Sequence, residues 1–298
     1  MKVLVSIVNW MNYWDTIACI DQCKQQEYRD IEIVVVDNAS VNESILKISE
    51  AHRDITIIKS RSNKGFAAGH KMAYEYAKKH SFDVIWLLNP DVEIYSDTLS
   101  TIIDAYKIHG LAIYGSITID NDGNNKSLCN QSNGIKGFEI TILPNTNADV
   151  YQTDFVSGSS FFIPMEVTDK IGFMSTCYFM YVEEVDYSFK AYKNGILSYY
   201  VLHSKIKHEG AKSFEVSPGL QYIKTYYKVR NYIYFTLKTR KYSRRVIRIN
   251  HGGFRAMLRN ALQRKNLELH YNAMGVLHAY FGITGRVLNP NDFLKLKE

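Results

Sequence analysis

Five short runs rich in Val, Ile and Leu, at 2–8, 31–37, 55–59, 83–89 and 112–118, alternate with stretches of helical spacing at about 13–26, 42–52, 67–80 and 96–108. Strands that are apolar along their whole length are covered on both faces, and strands joined through helices run parallel. The alternation therefore predicts an α/β domain with a Rossmann-like, mostly parallel sheet flanked by helices. After a polar loop at 120–135, strand-like segments at 136–143 and 153–163 make the later part of the sheet mixed. A helix at about 183–194 and a strand at 197–203 complete the core.

The 298 residues suffice for one large domain with an extension, or for two domains, and a hydrophobic content of 46% supports a substantial core. Charge marks the boundary. Between Glu215 and Glu268 there is no acidic residue but 13 Lys and Arg, and removing those 13 charges turns the net +6 into −7. Residues 1–215 are thus expected to form the α/β domain, and 216–298 a basic helical extension packed on it. In that extension Tyr222, Tyr226, Tyr227, Tyr232, Tyr234 and Phe235 interleave with Lys and Arg. Cys19 and Cys23, four apart on an expected helix, read as small apolar core groups. With no CxxC pair, no signal-like start and no long apolar stretch, the chain reads as cytoplasmic.

Candidate site residues lie where the expected strands end. Val84–Leu88 runs into Asn89-Pro90-Asp91. Pro90 stops the ladder and leaves Asp91 at the carboxyl edge of the sheet, where open α/β folds bind ligands. Asp91 reads either as a metal-holding carboxylate or as a turn acid capping the next helix. Asp37, at the end of the second strand, suits a ribose hydroxyl or a base N–H, or a helix cap. In Asn63-Lys64-Gly65-Phe66-Ala67-Ala68-Gly69, two glycines four apart at a helix start allow close backbone approach by a ligand. Neither a Walker pattern nor a dinucleotide fingerprint occurs, which argues against a P-loop NTPase or a nicotinamide enzyme. Glu183, Glu184 and Asp186 crowd the start of a helix, as a general base with its neighbours or as a solvated helix start. His208 either completes a metal site with Asp91 or is structural.

In this order, these pieces resemble glycosyltransferase family 2 enzymes of the GT-A fold, most closely the rhamnosyltransferase-like and galactofuranosyltransferase-like bacterial members, over about residues 3–235. The strand ending in Val8-Asn9, Asp37 in Val-Asp-Asn-Ala-Ser, and Asn63-x-Gly65-Phe66-Ala67-x-Gly69 match the family's nucleotide-sugar-binding half. Asn89-Pro90-Asp91 matches its metal-binding acidic motif. Asp154–Ser159 resembles its acceptor-side strand, placing Ser157, Gly158 and Glu183 around the acceptor. Phe179–Asp186 resembles its catalytic segment.

The resemblance implies an inverting transferase in which Asp37 binds the nucleoside, while Asp91 and His208 hold Mn2+ or Mg2+ on the diphosphate. Glu184 would be the base, where the family usually has aspartate, with Asp186 as the alternative. Arg230-Asn231 also matches the family pattern, with no role attached. The implied substrates are a nucleotide sugar, dTDP-rhamnose or UDP-galactofuranose, and a glycan or lipid-linked acceptor.

A nucleotidyltransferase and a non-catalytic sugar-nucleotide or polyanion-binding protein are the alternatives. Repelling carboxylates in a binding module would serve no purpose. The basic stretch 216–267 fits an anionic membrane surface, placing the chain peripherally on the inner face of the plasma membrane. A solvated face or a homo-oligomer contact comes second, and nucleic acid last.

Overall fold

The computed structural model describes residues 1–129, 141–144, 148–208, 218–239 and 267–294. Two compact units emerge. One comprises Met1–Ser175 with Glu184–Gly210, and the other comprises Thr176–Glu183 with Ala211–Glu298. The segment 176–183 therefore groups with the C-terminal helices, which the charge boundary at 215/216 did not indicate.

The first unit begins β1 (Val3–Asn9), α1 (Tyr13–Lys24), β2 (Ile31–Asp37), α2 (Ser44–Ala51), β3 (Thr56–Lys59), α3 (Phe66–Lys79) and β4 (Val84–Leu88). β5 (Val92–Ile94), α4 (Thr98–His109) and β6 (Ala112–Ile119) follow. β7 (Leu128–Cys129) and β8 (Thr141–Ile142) form a separate small ladder. Of the strand expected at 136–143, residues 136–140 lie outside the described residues. β9 (Val150–Thr153), β10 (Ser160–Pro164), α5 (Met165–Ile171), α6 (Glu183–Lys193, its first residue grouped with the second unit) and β11 (Leu197–His208) complete the sequence.

Among the described residues the main sheet has nine strands in the order β3-β2-β1-β4-β10-β6-β11-β5, with β9 also paired to β11. β3, β2, β1 and β4 are mutually parallel. β10 runs antiparallel to both β4 and β6, so the sheet is mixed in its second half. The crossover from β3 to β4 leads to the far side of β1, so β1 and β4 flank the topological switch point at which such sheets bind ligands.

Alternate strand residues supply the two cores. Leu4, Val34, Val36, Ile85 and Leu87 pack with Ala73, Tyr74 and Ala77 of α3 on one face. Val3, Val5, Ile7, Val35 and Trp86 pack on the other with Cys19, Ile20 and Cys23 of α1 and Leu99, Ile102 and Ile103 of α4. Cys19 and Cys23 are free, buried thiols, as their spacing indicated. At the sheet centre a chain of hydroxyls, Ser160 to Ser116 at 2.9 Å and Ser116 to Ser204 at 2.8 Å, ties β10, β6 and β11 together.

The second unit contains α7 (Pro218–Thr239), α8 (Leu267–Tyr280) and α9 (Pro290–Phe293). α7 and α8 cross closely because residue 275 is glycine: a Cβ there would lie 2.9 Å from the Tyr226 carbonyl oxygen. Tyr222 stacks on Tyr271, and Tyr226 Oη meets His278 Nδ1 at 2.7 Å. Tyr226, Tyr227 and Phe235 are thus core residues of this unit rather than a surface aromatic array. Arg230, one of the 13 basic residues, is fully buried as well. Of the other twelve, Arg240, Lys241, Arg244, Arg245, Arg248, Arg255, Arg259, Arg264 and Lys265 lie outside the described residues. No helix among the described residues is long and apolar enough to cross a membrane.

Candidate functional site

The carboxyl ends of β1, β2 and β4 carry a continuous polar network. β1 and β2 are in register from Val3↔Ile31 to Asn9↔Asp37, so the last residues of the two strands meet. Asn9 Nδ2 donates to Asp37 Oδ1 at 2.8 Å, and the backbone N–H of Ser40 donates to Asp37 Oδ2 at 3.0 Å. Thr16 Oγ1 donates to Asn9 Oδ1 at 2.9 Å, tying α1 to the same point. Asp37 is buried, at 1% exposure. Rather than projecting from the strand end, it is the buried anchor of the turn that follows.

In that turn Ala39 has a φ of 61°, left-handed and locally constrained. Asn38 carries the network across to α3. Its Nδ2 donates to the Gly65 carbonyl at 3.1 Å, and its Oδ1 accepts from the Lys64 N–H at 3.1 Å. Gly65 caps α3 at φ 90° and ψ −175°, a region that side chains exclude, so the glycine is required there. Asn63 Oδ1 accepts from the Gly65 N–H at 3.0 Å.

Gly69 has a different purpose from the one its spacing suggested. A Cβ at 69 would lie 2.8 Å from both Cγ atoms of Val8. The close approach it permits is that of α3 to β1. Asn38 and Ser40 entered the sequence reading only as part of Val-Asp-Asn-Ala-Ser, and nothing in their spacing indicated that they bind two loops together.

β4 ends at Leu88 and Pro90 turns the chain, as expected. Asp91 is not left exposed, however. Its side chain is 8% exposed and its Oδ1 lies 3.3 Å from His208 Nε2. Asn89 Nδ2 is 3.5 Å from the same nitrogen. The pairing of β11 with β5, His208↔Val92, makes this meeting possible by bringing residue 208 alongside the turn after β4. A carboxylate oxygen and an imidazole nitrogen at this separation can face one divalent cation. Among the described residues no group of three or more His, Cys, Asp or Glu is arranged to hold a metal ion.

β10 enters the sheet beside this edge, with Ser160 opposite Leu88 and the Asn89 N–H donating to the Ser159 carbonyl at 3.2 Å. Ser157 is held by its own turn, with Oγ 2.9 Å from Ser159 Oγ, and its N–H donates to Tyr200 Oη at 3.0 Å. A Cβ on Gly158 would lie 3.3 Å from Phe66 Cζ and 3.9 Å from Glu184 Cβ. Phe66, Gly158 and Glu184 are thus neighbours, though their sequence positions gave no such indication.

The acidic cluster divides by burial. Glu183 and Asp186 turn inward, at 3% and 7% exposure, while Glu184 is half-buried. Burial pushes the Glu184 carboxyl above its ordinary value. The cluster therefore does not present three carboxylates to one site. Of the three, Glu184 is the most exposed.

The profile of Glycosyl transferase family 2 matches residues 7–184. The low-salt glycan biosynthesis hexosyltransferase Agl10 of Haloferax volcanii is 28% identical over 172 residues, covering 55% of this chain and 54% of the relative. The match thus spans about half the length of that relative. Among solved structures, mannosyltransferase PcManGT from Pyrobaculum calidifontis, in complex with GDP-Man and Mn2+, aligns with a TM-score of 0.58 at 14% identity, over 94% of this chain and 75% of that one. GalNAc-T7 with UDP, GalNAc and Mn2+ aligns with a TM-score of 0.60 at 15% identity, over 79% of this chain and 47% of that one. At these identities the likeness to the solved structures is one of fold.

Proposed function

This chain belongs to glycosyl transferase family 2 and has the GT-A fold, and from that premise we propose that it transfers a sugar, with inversion, from a nucleoside-diphosphate donor to a glycan or lipid-linked hydroxyl. The observation that carries this reading is the gathering of Asn9, Asp37, Asn89 and Asp91 at the carboxyl edge, where β1 and β4 flank the switch point. The nucleoside would lie against the β1–β2 end, with Val8 and Asn9 forming its floor and Asp37 fixing Asn9 and the 38–40 turn. The amino end of α3, shaped by Asn63, Gly65 and Phe66, offers N–H groups to the diphosphate.

Asp91 and His208 would hold Mn2+ or Mg2+ there, and such an ion when bound offsets the negative charge of the departing diphosphate. Mn2+ in the two solved complexes supports that choice. Glu184 accepts a proton from the acceptor hydroxyl as its oxygen forms the new bond to the anomeric carbon and the bond to the diphosphate breaks. Ser157, Gly158, Glu183 and Asp186 shape and orient the acceptor side. dTDP-rhamnose and UDP-galactofuranose are the donors the family resemblance favours, and the hexosyltransferase relative adds other hexosyl nucleotides. The acid-free run of Lys and Arg, apart from the buried Arg230, supports an approach to an anionic membrane face.

Glu184→Gln tests the assignment. Transfer should fall by about 10²-fold or more, with donor affinity nearly unchanged by calorimetry. Undiminished transfer, or loss of donor affinity, removes Glu184 from the role.

A further inference from the structure

Arg230 and Asn231 of α7 are buried, at 0% and 1% exposure. Asn231 Nδ2 lies 2.9, 2.6 and 3.0 Å from the carbonyl oxygens of Tyr178, Met180 and Tyr181. Arg230 Nη2 donates to the same Tyr178 carbonyl at 2.6 Å. Arg230 Nε donates to Asn231 Oδ1 at 2.8 Å, which fixes the amide so that its NH2 faces the segment. The guanidinium is held in turn by the Gly285 carbonyl at 2.7 Å and by the Tyr227 ring, whose centroid is 4.7 Å away.

Three carbonyl oxygens gathered at one nitrogen repel each other unless donors hold them, and an amide has only two hydrogens to share. The segment they belong to is wound in a way its residues disfavour. Phe179, Tyr181 and Val182 have φ of 72°, 66° and 78°, and none is glycine. A β-branched residue in that region is a genuine outlier, which persists only when its surroundings impose it. The residue after Val182 is Glu183, the first of α6, and Glu184 follows.

We propose that Arg230 and Asn231 are positioning residues: a two-residue clamp that keeps 178–182 wound and so sets where the helix bearing Glu184 begins. This rests on the reading of Glu184 as the base. The clamp touches no reacting atom. It acts by holding the three backbone carbonyls of Tyr178, Met180 and Tyr181.

Asn231→Ala removes the donors. With whichever member of a panel of dTDP-, UDP- and GDP-sugars the chain turns over, kcat per folded molecule should fall by about 10²-fold, the loss that a small misplacement of a reacting group produces. The dissociation constant for that nucleotide sugar in Mn2+ should change little, and the amides of 179–182 should exchange faster with deuterium. In the Asn231→Ala background, Val182→Asn should restore part of the lost kcat, because asparagine tolerates the left-handed region.

Should Asn231→Ala not fold, Arg230→Lys, which keeps the charge but not the fork, is read by the same measurements with a smaller loss. An unchanged kcat per folded molecule, parallel losses in kcat and nucleotide-sugar affinity, or no recovery with Val182→Asn overturns the clamp. Absence of turnover of every donor in that panel by the wild-type chain sinks the transfer reading itself. Wild-type turnover equalled by Asn231→Ala sinks only the clamp.

Discussion

Gly69→Ala should destabilise the chain for a reason confined to one pair of residues. A methyl at 69 would lie 2.8 Å from Cγ1 and 2.8 Å from Cγ2 of Val8, closer than carbon atoms pack, so α3 or the end of β1 must shift. Forcing a methyl into such a contact costs about 1–3 kcal/mol. Replacing glycine by alanine within a helix returns up to about 1 kcal/mol, less in the first turn, where residue 69 sits. Overpacking wins, and a net loss of about 1 kcal/mol is expected.

Val8→Ala removes both offending carbons. In that background the same Gly69→Ala change keeps only the helix term and becomes neutral or slightly stabilising. The four forms of this cycle, unfolded in urea and followed by the fluorescence of buried Trp86, should give a coupling of about 1–2 kcal/mol. Equal effects of Gly69→Ala in both backgrounds would falsify the packing argument and return Gly69 to the ligand-approach reading. Nucleotide affinity should fall in Gly69→Ala alone, because the displaced Val8 forms the floor of the proposed nucleoside site.

Two further outcomes follow from buried and paired side chains. His70, fully buried with its Nδ1 2.8 Å from Ser6 Oγ, has its imidazole pushed by burial down to about 3. Because this lies below the unfolded value of about 6.5, the unfolded chain takes up the proton first, and stability falls as pH drops through the range between the two. By pH 5 the loss is about 2 kcal/mol. Urea titrations at pH 7 and pH 5 should show it as a lowered midpoint in the wild-type chain and not in His70→Gln, and the same midpoint shift in both proteins would contradict it. Asp91→Ala should lower nucleotide-sugar affinity by about tenfold or more in Mn2+ and leave it unchanged in EDTA. A loss of equal size in EDTA would make Asp91 a direct substrate contact instead of an ion ligand.

Much of the first half was legible because its strands are continuous apolar runs. β1, β2 and β4 fall within about one residue of the ranges read from Val, Ile and Leu alone. Other parts were not legible. β5 is three residues long and follows a proline, with too few positions to show a period. The strand read at 153–163 is in fact the end of β9, a turn holding Ser157 and Gly158, and β10, after which α5 begins with no intervening turn. β11 continues five residues past its expected end because Ser204 and Ile206 are buried while Lys205 is exposed, an alternation that charge alone masked.

The candidate site was legible as a set of strand ends but not as contacts. Asp91 and His208 are 117 positions apart, and their approach depends on an antiparallel pairing of β11 with the unrecognised β5. Asp37 looked free to face a ligand because the residues that occupy both of its oxygens, Asn9 and Ser40, lie partly on another strand. Arg230-Asn231 could be noticed as a pair. Its use required seeing three carbonyls folded back toward one amide.

The most direct test of the central claim is nucleoside diphosphate release from a panel of dTDP-, UDP- and GDP-sugars, run with Mn2+ and with EDTA on the wild-type chain and Asp91→Ala. Release from one donor in Mn2+, abolished by EDTA and by Asp91→Ala, is the predicted result. Pyrophosphate as product, turnover indifferent to EDTA and to Asp91, or no nucleotide binding at all would contradict it.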